Sequence, residues 1–219
     1  MHQPTILLST AYFPPIQYIT KFLLTDQIWI EADEHFSKQS YRNRTIILST
    51  HGPETLIVPV EKGHSSKQLI RDIRISYDSK WPHNHWQSII SAYHSSPFFE
   101  LLEEEFRPFF EKRYHYLIDF DQSILEVILN LLEINVEIHR TTDFEQVNDN
   151  FINLREAMHP KMQRNKQDPN FKAHPYTQVF EDRFDFIPNL SILDLIFNCG
   201  SQSYEMLSKS CNDRSEQLS

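Results

Sequence analysis

Two short apolar runs, Thr5 to Ser9 and Gln27 to Glu31, flank a segment of helical period, and this order most constrains what the chain can fold into. Pro14-Pro15 is suited to the first turn of a helix, and Ile16, Ile19, Phe22 and Leu23 recur at helical spacing after it. Strand, helix and strand within about 30 residues predict a βαβ crossover with two parallel strands. That unit sets the class as α/β.

The next segments build on it. Arg44 to Ser49 and Thr55 to Val60 bracket the turn His51-Gly52-Pro53-Glu54 and predict a β-hairpin. Leu69 to Ser76 alternates in polarity and reads as a half-exposed strand. From Trp81 the period becomes helical. Trp86, Ile89, Ile90 and Tyr93 make one stripe, Pro97 separates a second helix from Phe98 to Glu111, and Pro108 bends or ends it. Ser123 to Val136 is apolar on most of its circumference and reads as a largely buried helix. Residues 139–188 are polar and prolines interrupt them, with a possible short strand at Gln178 to Phe180. Ser191 to Asn198 is a helix with Gly200 placed to cap it, and Tyr204 to Ser208 is a shorter one. The tail from Lys209 is polar and expected to fray. The expected architecture is an N-terminal mixed sheet with the βαβ unit and the hairpin, followed by a helical C-terminal half. Residues 1–219 read as one domain whose character changes near residue 118.

Glycine is scarce, and that excludes chemistry. Only Gly52, Gly63 and Gly200 occur, so neither a phosphate-cradling P-loop nor a dinucleotide fingerprint exists. Any phosphate must be held by side chains or a helix N-terminus. Net charge is −9, but residues 37–74 carry 7 basic against 3 acidic residues. A basic segment in an acidic chain suits a small anionic ligand and argues against general nucleic-acid binding. Hydrophobic residues at 40% and charged at 23% fit a soluble globular protein, and no run approaches a bilayer span of roughly 20 residues. Met1 to Pro4 lacks the basic region of a signal peptide, and Cys199 and Cys211 fit reduced thiols, so a cytoplasmic location is expected.

The basic segment centres on Phe36 to Arg44, with three cations, two amides and no acid in nine residues. Lys38, Arg42, Asn43 and Arg44 are the candidate anion ligands, Arg supplying a planar fork and Lys a point charge. A solvated, ion-paired surface segment explains the same residues. Lys62 can point the same way or be a plain exposed lysine. Tyr12 sits where the first strand gives way to the helix, the usual ligand edge of an open α/β sheet, or else packs in the core. Glu31 and Asp33 follow the second strand toward the same edge. His83-Asn84-His85 invites a metal site, but two residues apart on a helix point about 200° apart, so no metal centre is assigned. His85 alone can serve as a general base, or hydrogen-bond within the fold. Cys199 lacks a histidine partner and is not read as a nucleophile.

Four blocks resemble the WbqC-like family, specifically its Bacteroidetes branch. They are Leu8 to Tyr18, with Tyr12-Phe13-Pro14-Pro15; Tyr41-Arg42-Asn43-Arg44; Trp81 to Phe99, with His85-Trp86; and Pro188 to Asn198. Many members carry His-Gln-Pro at the end of the first strand. Here that place reads Leu8-Ser9-Thr10, and His2-Gln3-Pro4 lies about six residues too early, so that histidine's role does not carry over. The resemblance implies a cytosolic step in O-antigen or related surface-polysaccharide synthesis. The expected function is therefore group or acyl transfer to an activated sugar. Lys38, Arg42, Asn43 and Arg44 would bind its anionic part, Tyr12 would position it, and His85 would act as base. The ligand would be a small anion or a sugar nucleotide, and no cofactor is assigned. A non-catalytic adaptor of the same pathway is the alternative, marked by an exposed apolar patch.

Overall fold

The computed structural model describes residues 5–62, 67–144, 151–161 and 166–211. His2-Gln3-Pro4 lies outside them. Strand β1 (Thr5–Ser9), helix α1 (Ile16–Thr20) and strand β2 (Gln27–Glu31) form the expected crossover, with Ile6 opposite Ile28 and Ser9 opposite Glu31 in a parallel ladder. Two further strands join this sheet from the C-terminal half. β5 (Glu137–Arg140) pairs parallel with β2, and β6 (Phe151–Asn153) pairs parallel with β1, giving the order β5-β2-β1-β6. Ile6, Leu7 and Leu8 are almost fully buried, as a central parallel strand covered on both faces requires.

The hairpin β3 (Arg44–Ser49) with β4 (Gly52–Ile57) is antiparallel and forms a separate two-stranded sheet. Leu69 to Ser76 is not a strand. It makes a 3₁₀ turn at Ile70–Asp72, then single bridges from Arg74 to Tyr116 and from Ile75 to Val60. The turn buries Ile70, and the extended piece after it buries Ile73 and Ile75, so the alternation is met without a ladder.

Helices α2 (Trp81–Tyr93), α3 (Phe99–Phe106) and α4 (Pro108–Glu111) follow, with Pro108 at the break between the last two. Helix α5 runs from Leu117 to Leu131, earlier at both ends than the apolar run implied, and Glu133 takes a left-handed φ of 55° just beyond it. Gln178 to Phe180 forms no strand. α6 (Ile192–Cys199) is capped by the Ser191 side chain, and α7 spans Ser203–Ser210, so Lys209 is still helical. Rings of Phe13, Phe99, Phe106, Phe109, Phe110, Phe120 and Phe197 fill the core between hairpin and helices.

Gly200 closes α6 at φ 52°, and a Cβ there would lie 2.4 Å from the Phe98 ring. Gly200→Ala is therefore expected to cost about 2 kcal/mol, from left-handed strain plus displacement of the half-buried Phe98 ring. A urea-denaturation midpoint within error of wild type would contradict this.

Candidate functional site

The carboxyl edge of the parallel sheet gathers charge from distant parts of the chain. β1 ends in Ser9, Thr10 and Ala11. The backbone then turns sharply at Phe13, whose φ of 38° is unusual for a bulky buried residue. Two hydroxyls hold that turn: Thr45 donates to the Phe13 carbonyl at 2.7 Å and Ser191 at 3.1 Å. The conformation is thus fixed from the hairpin and from α6 at once.

Arg42, 4% exposed, lies in the 3₁₀ turn Tyr41–Asn43 and reaches under the end of β1. Its Nε and Nη2 donate to the two carboxylate oxygens of Glu34 at 2.7 and 2.6 Å, a two-pronged pair. Nη2 also donates to Ser9 Oγ at 2.8 Å and to Glu156 Oε1 at 2.9 Å. Ser9 Oγ lies 3.1 Å from Glu34 Oε2 and 3.0 Å from the Arg155 carbonyl, and its single proton serves one of them at a time.

A second pair sits beside the first. Glu31, fully buried at the end of β2, meets Arg155 Nη1 at 2.6 Å and accepts from the Thr141 hydroxyl at 2.6 Å and the Asp33 N–H at 3.0 Å. Arg155 follows β6, and its guanidinium also stacks over the Phe144 ring at 4.6 Å. Asp33 pairs with Arg71. Asp121 on α5 accepts from Thr10 Oγ1 at 3.0 Å, while its other oxygen is buried without a hydrogen-bond partner. Burial pushes the Asp121 carboxyl well above the usual carboxylate range, against the pull of the Thr10 hydrogen bond.

Where β1 and β6 end, part of this set lines a cavity of about 20 Å³, the room of one water. Ser9, Thr10, Tyr41, Arg42, Leu154 and Arg155 are among its walls. The position matters. From β1 the chain builds outward through β2 to β5, then returns to the opposite side of β1 with β6. The strand order reverses there, and such a reversal opens a crevice at the carboxyl ends where open α/β sheets hold ligands.

The expected site residues divide. Tyr12 and His85 touch, with the tyrosine oxygen 2.9 Å from Nδ1. Both are buried, and neither lines the cavity. His85 lies on the inner face of α2, one turn from Trp81 and from Ile89, whereas His83 is exposed. Burial pushes the His85 imidazole down to about 4, opposed by a hydrogen bond to the Ile57 backbone. The Ile57 carbonyl takes one ring N–H, which leaves Nδ1 to accept from Tyr12. The Tyr12 N–H donates to the Tyr41 carbonyl at 2.9 Å, linking this pair to the Arg42 turn.

The basic block does not act as a unit. Arg42 enters the cavity wall already paired with Glu34 and Glu156. Asn43 donates to the Val58 carbonyl at 2.9 Å, its own oxygen unpartnered. Arg44 starts β3, half-buried, and burial lowers its basicity. Lys38 and Lys62 are exposed. Burial raises the Cys199 thiol to about 11, so it is a poor nucleophile at neutral pH.

Ser9, Thr10, Glu34, Asp121, Arg155 and Glu156 were not expected at the site. Only Asp121 left a signal. It falls on the face of α5 that buries Leu117, Ile124 and Leu125, where a carboxylate is out of place.

Among the described residues, no group of three or more His, Cys, Asp or Glu side chains is disposed to hold a metal ion. None of the described helices is long and apolar enough to cross a membrane.

Comparison with known proteins gives the family. The uncharacterized protein Rv1507c of Mycobacterium tuberculosis is 23% identical over 224 residues, covering 92% of this chain and 96% of that protein. No solved structure matches the chain. The family model described as the WbqC-like protein family matches residues 10–167, which include β2 to β6 and both buried arginine pairs, and the chain belongs to that family.

Proposed function

We propose that this protein is a member of the Bacteroidetes branch, which its four sequence blocks resemble, and a cytosolic enzyme of O-antigen or related surface-polysaccharide synthesis. It transfers a group, such as an acyl group, to an activated sugar or sugar-linked substrate at the β1–β6 edge. One observation carries the reading: two buried arginine–carboxylate pairs, Arg42 with Glu34 and Arg155 with Glu31, meet where the strand order reverses. Stability alone does not call for them, because apolar residues of similar volume serve a core as well or better. Asp121, raised by burial and bonded to Thr10 of the cavity wall, adds a perturbed ionisable group of the kind that clusters at working sites.

The donor set favours a polyhydroxyl ligand. Each sugar hydroxyl both donates and accepts, and guanidinium and carboxylate side by side offer both roles. Arg42 and Arg155 bind in this reading, and Ser9 and Thr10 line the floor. Tyr12 and His85 act as positioning residues, because neither lines the cavity and the Tyr12 N–H holds the Tyr41 carbonyl beside Arg42. Lys38, Asn43 and Arg44 stand outside the cavity wall.

A titration of nucleotide sugars, sugar phosphates and acyl-CoA donors, followed by thermal shift, tests this. A true ligand at about 100 times its dissociation constant stabilises the protein by roughly 2.7 kcal/mol. The shift should vanish in Arg155→Lys, which keeps the charge but loses the fork. No shift with any of these classes would sink the enzyme reading. It would favour a binding subunit, for which a groove lined by Phe98, Leu102, Leu131, Leu132 and Ile196, with Leu101 at its rim 74% exposed, is the supporting observation.

A further inference from the structure

We propose that the Arg42 guanidinium is an oxyanion-binding position, and that Glu156 occupies it until a carboxylate or phosphate ester of the substrate takes its place. The inference rests on the site described under the proposed function and adds to it the charge class of the substrate.

Arg42 holds two carboxylates of different character. Glu34 is buried and grips both Nε and Nη2. Glu156 reaches the same Nη2 through one oxygen at 2.9 Å, with its side chain 62% exposed against 4% for Arg42. Among the described residues, no hydrogen bond engages Arg42 Nη1. Arg42 is also part of the cavity wall. So the buried pair is structural, while the second carboxylate is solvated, singly bonded and at the edge where a ligand arrives.

Exchange is chemically balanced. A surface carboxylate gains little from one ion pair, and giving it up to water costs correspondingly little. An incoming oxyanion brings two or three oxygens and can bridge Nη1 and Nη2, where Glu156 supplies one. One anion replaces another: a carboxylate leaves the charge around Arg42 unchanged, a phosphate ester adds at most about one negative charge, and Glu34 need not move. Glu156 thereby weakens chance anions and yields to those with a second point of attachment, such as a sugar that also engages Arg155.

The test uses the full chain and two sugar-free probes, inorganic phosphate and acetate, titrated by calorimetry into wild type, Glu156→Gln and Glu105→Gln. Glu105 is exposed on α3 and removes the same charge elsewhere. A built-in competitor that fills the position most of the time lowers apparent affinity by the unfilled fraction, so Glu156→Gln should bind about five- to ten-fold more tightly. Glu105→Gln should stay within about two-fold of wild type, since exposed charges at a distance are screened. A gain confined to phosphate assigns an ester, and a gain confined to acetate assigns a carboxylate. Equal affinities of Glu156→Gln and wild type overturn the proposal. So does an equal gain in Glu105→Gln, or no binding of either probe to any of the three. Neither probe contains a sugar, so a failed nucleotide-sugar titration beside an intact Glu156→Gln gain would reject the enzyme reading alone.

Discussion

Arg42→Met should be among the most destabilising single substitutions in this chain, at about 3–5 kcal/mol, because it strands a buried carboxylate. Glu34 is 6% exposed, and the substitution would leave it only the Ser9 hydroxyl, 3.1 Å from one oxygen. For a chain of this length the loss corresponds to a melting point lower by about 10 °C. The double variant Arg42→Met/Glu34→Gln should recover much of it, since the cost lies in the unpaired charge more than in the missing contact. A single variant within about 1 kcal/mol of wild type would show that Glu34 reaches water. The pair would then be an ordinary surface ion pair and no mark of a working site.

The second large effect is a pair of opposed pH dependences. The His85 imidazole titrates near 4 in the fold against 6.5 when free. Between those values the unfolded chain binds more protons, so the contribution of His85 is full above pH 6.5 and is lost as pH falls toward 4, by about 3 kcal/mol. Asp194 runs the other way. It is fully buried, and burial raises its carboxyl to about 6 from 3.8, although Tyr176 and Gln178 donate to it at 2.6 and 3.0 Å. Here the native state binds the extra proton, so its contribution is present at low pH and falls as pH rises from about 4 to 6, again by about 3 kcal/mol. Asp121, also raised by burial, adds to the falling side. In wild type these terms largely mask one another. His85→Gln should expose a stability that declines from pH 4 to 6, and Asp194→Asn should sharpen the acid loss. Urea denaturation across that range measures both. Parallel profiles for the three proteins would refute the burial of either group.

Local patterns were readable and distant ones were not. The βαβ unit, the hairpin and the helices from Trp81 each announce themselves through periodicity, proline or turn chemistry within a dozen residues. β5 and β6 are four and three residues long, at the start of the polar stretch and within it, and form strands only because β2 and β1 offer them ladders. The site followed the same division. Tyr12, His85 and Arg42 stood out by type and place. Within its nine residues the basic block holds no acid, and the carboxylate that neutralises Arg42, Glu34, lies eight residues before it, just outside. Arg155 had no local signature at all, since its role is set by Glu31, 124 residues away.

The placement of β1 also governs how the protein comes off the ribosome. Its partner on one side, β2, is made at once, but the other edge waits for β6, and the Ser9 hydroxyl and the Arg155 carbonyl are separated by 146 positions. At roughly 5–20 residues per second that edge stays open for about 7–30 seconds of synthesis. An unpaired apolar edge is a template for a neighbouring chain, so nascent and truncated forms are the species in which this protein is prone to aggregate. The same delay means that the cavity is among the last features to form, so a protein able to bind ligand is one whose sheet is closed.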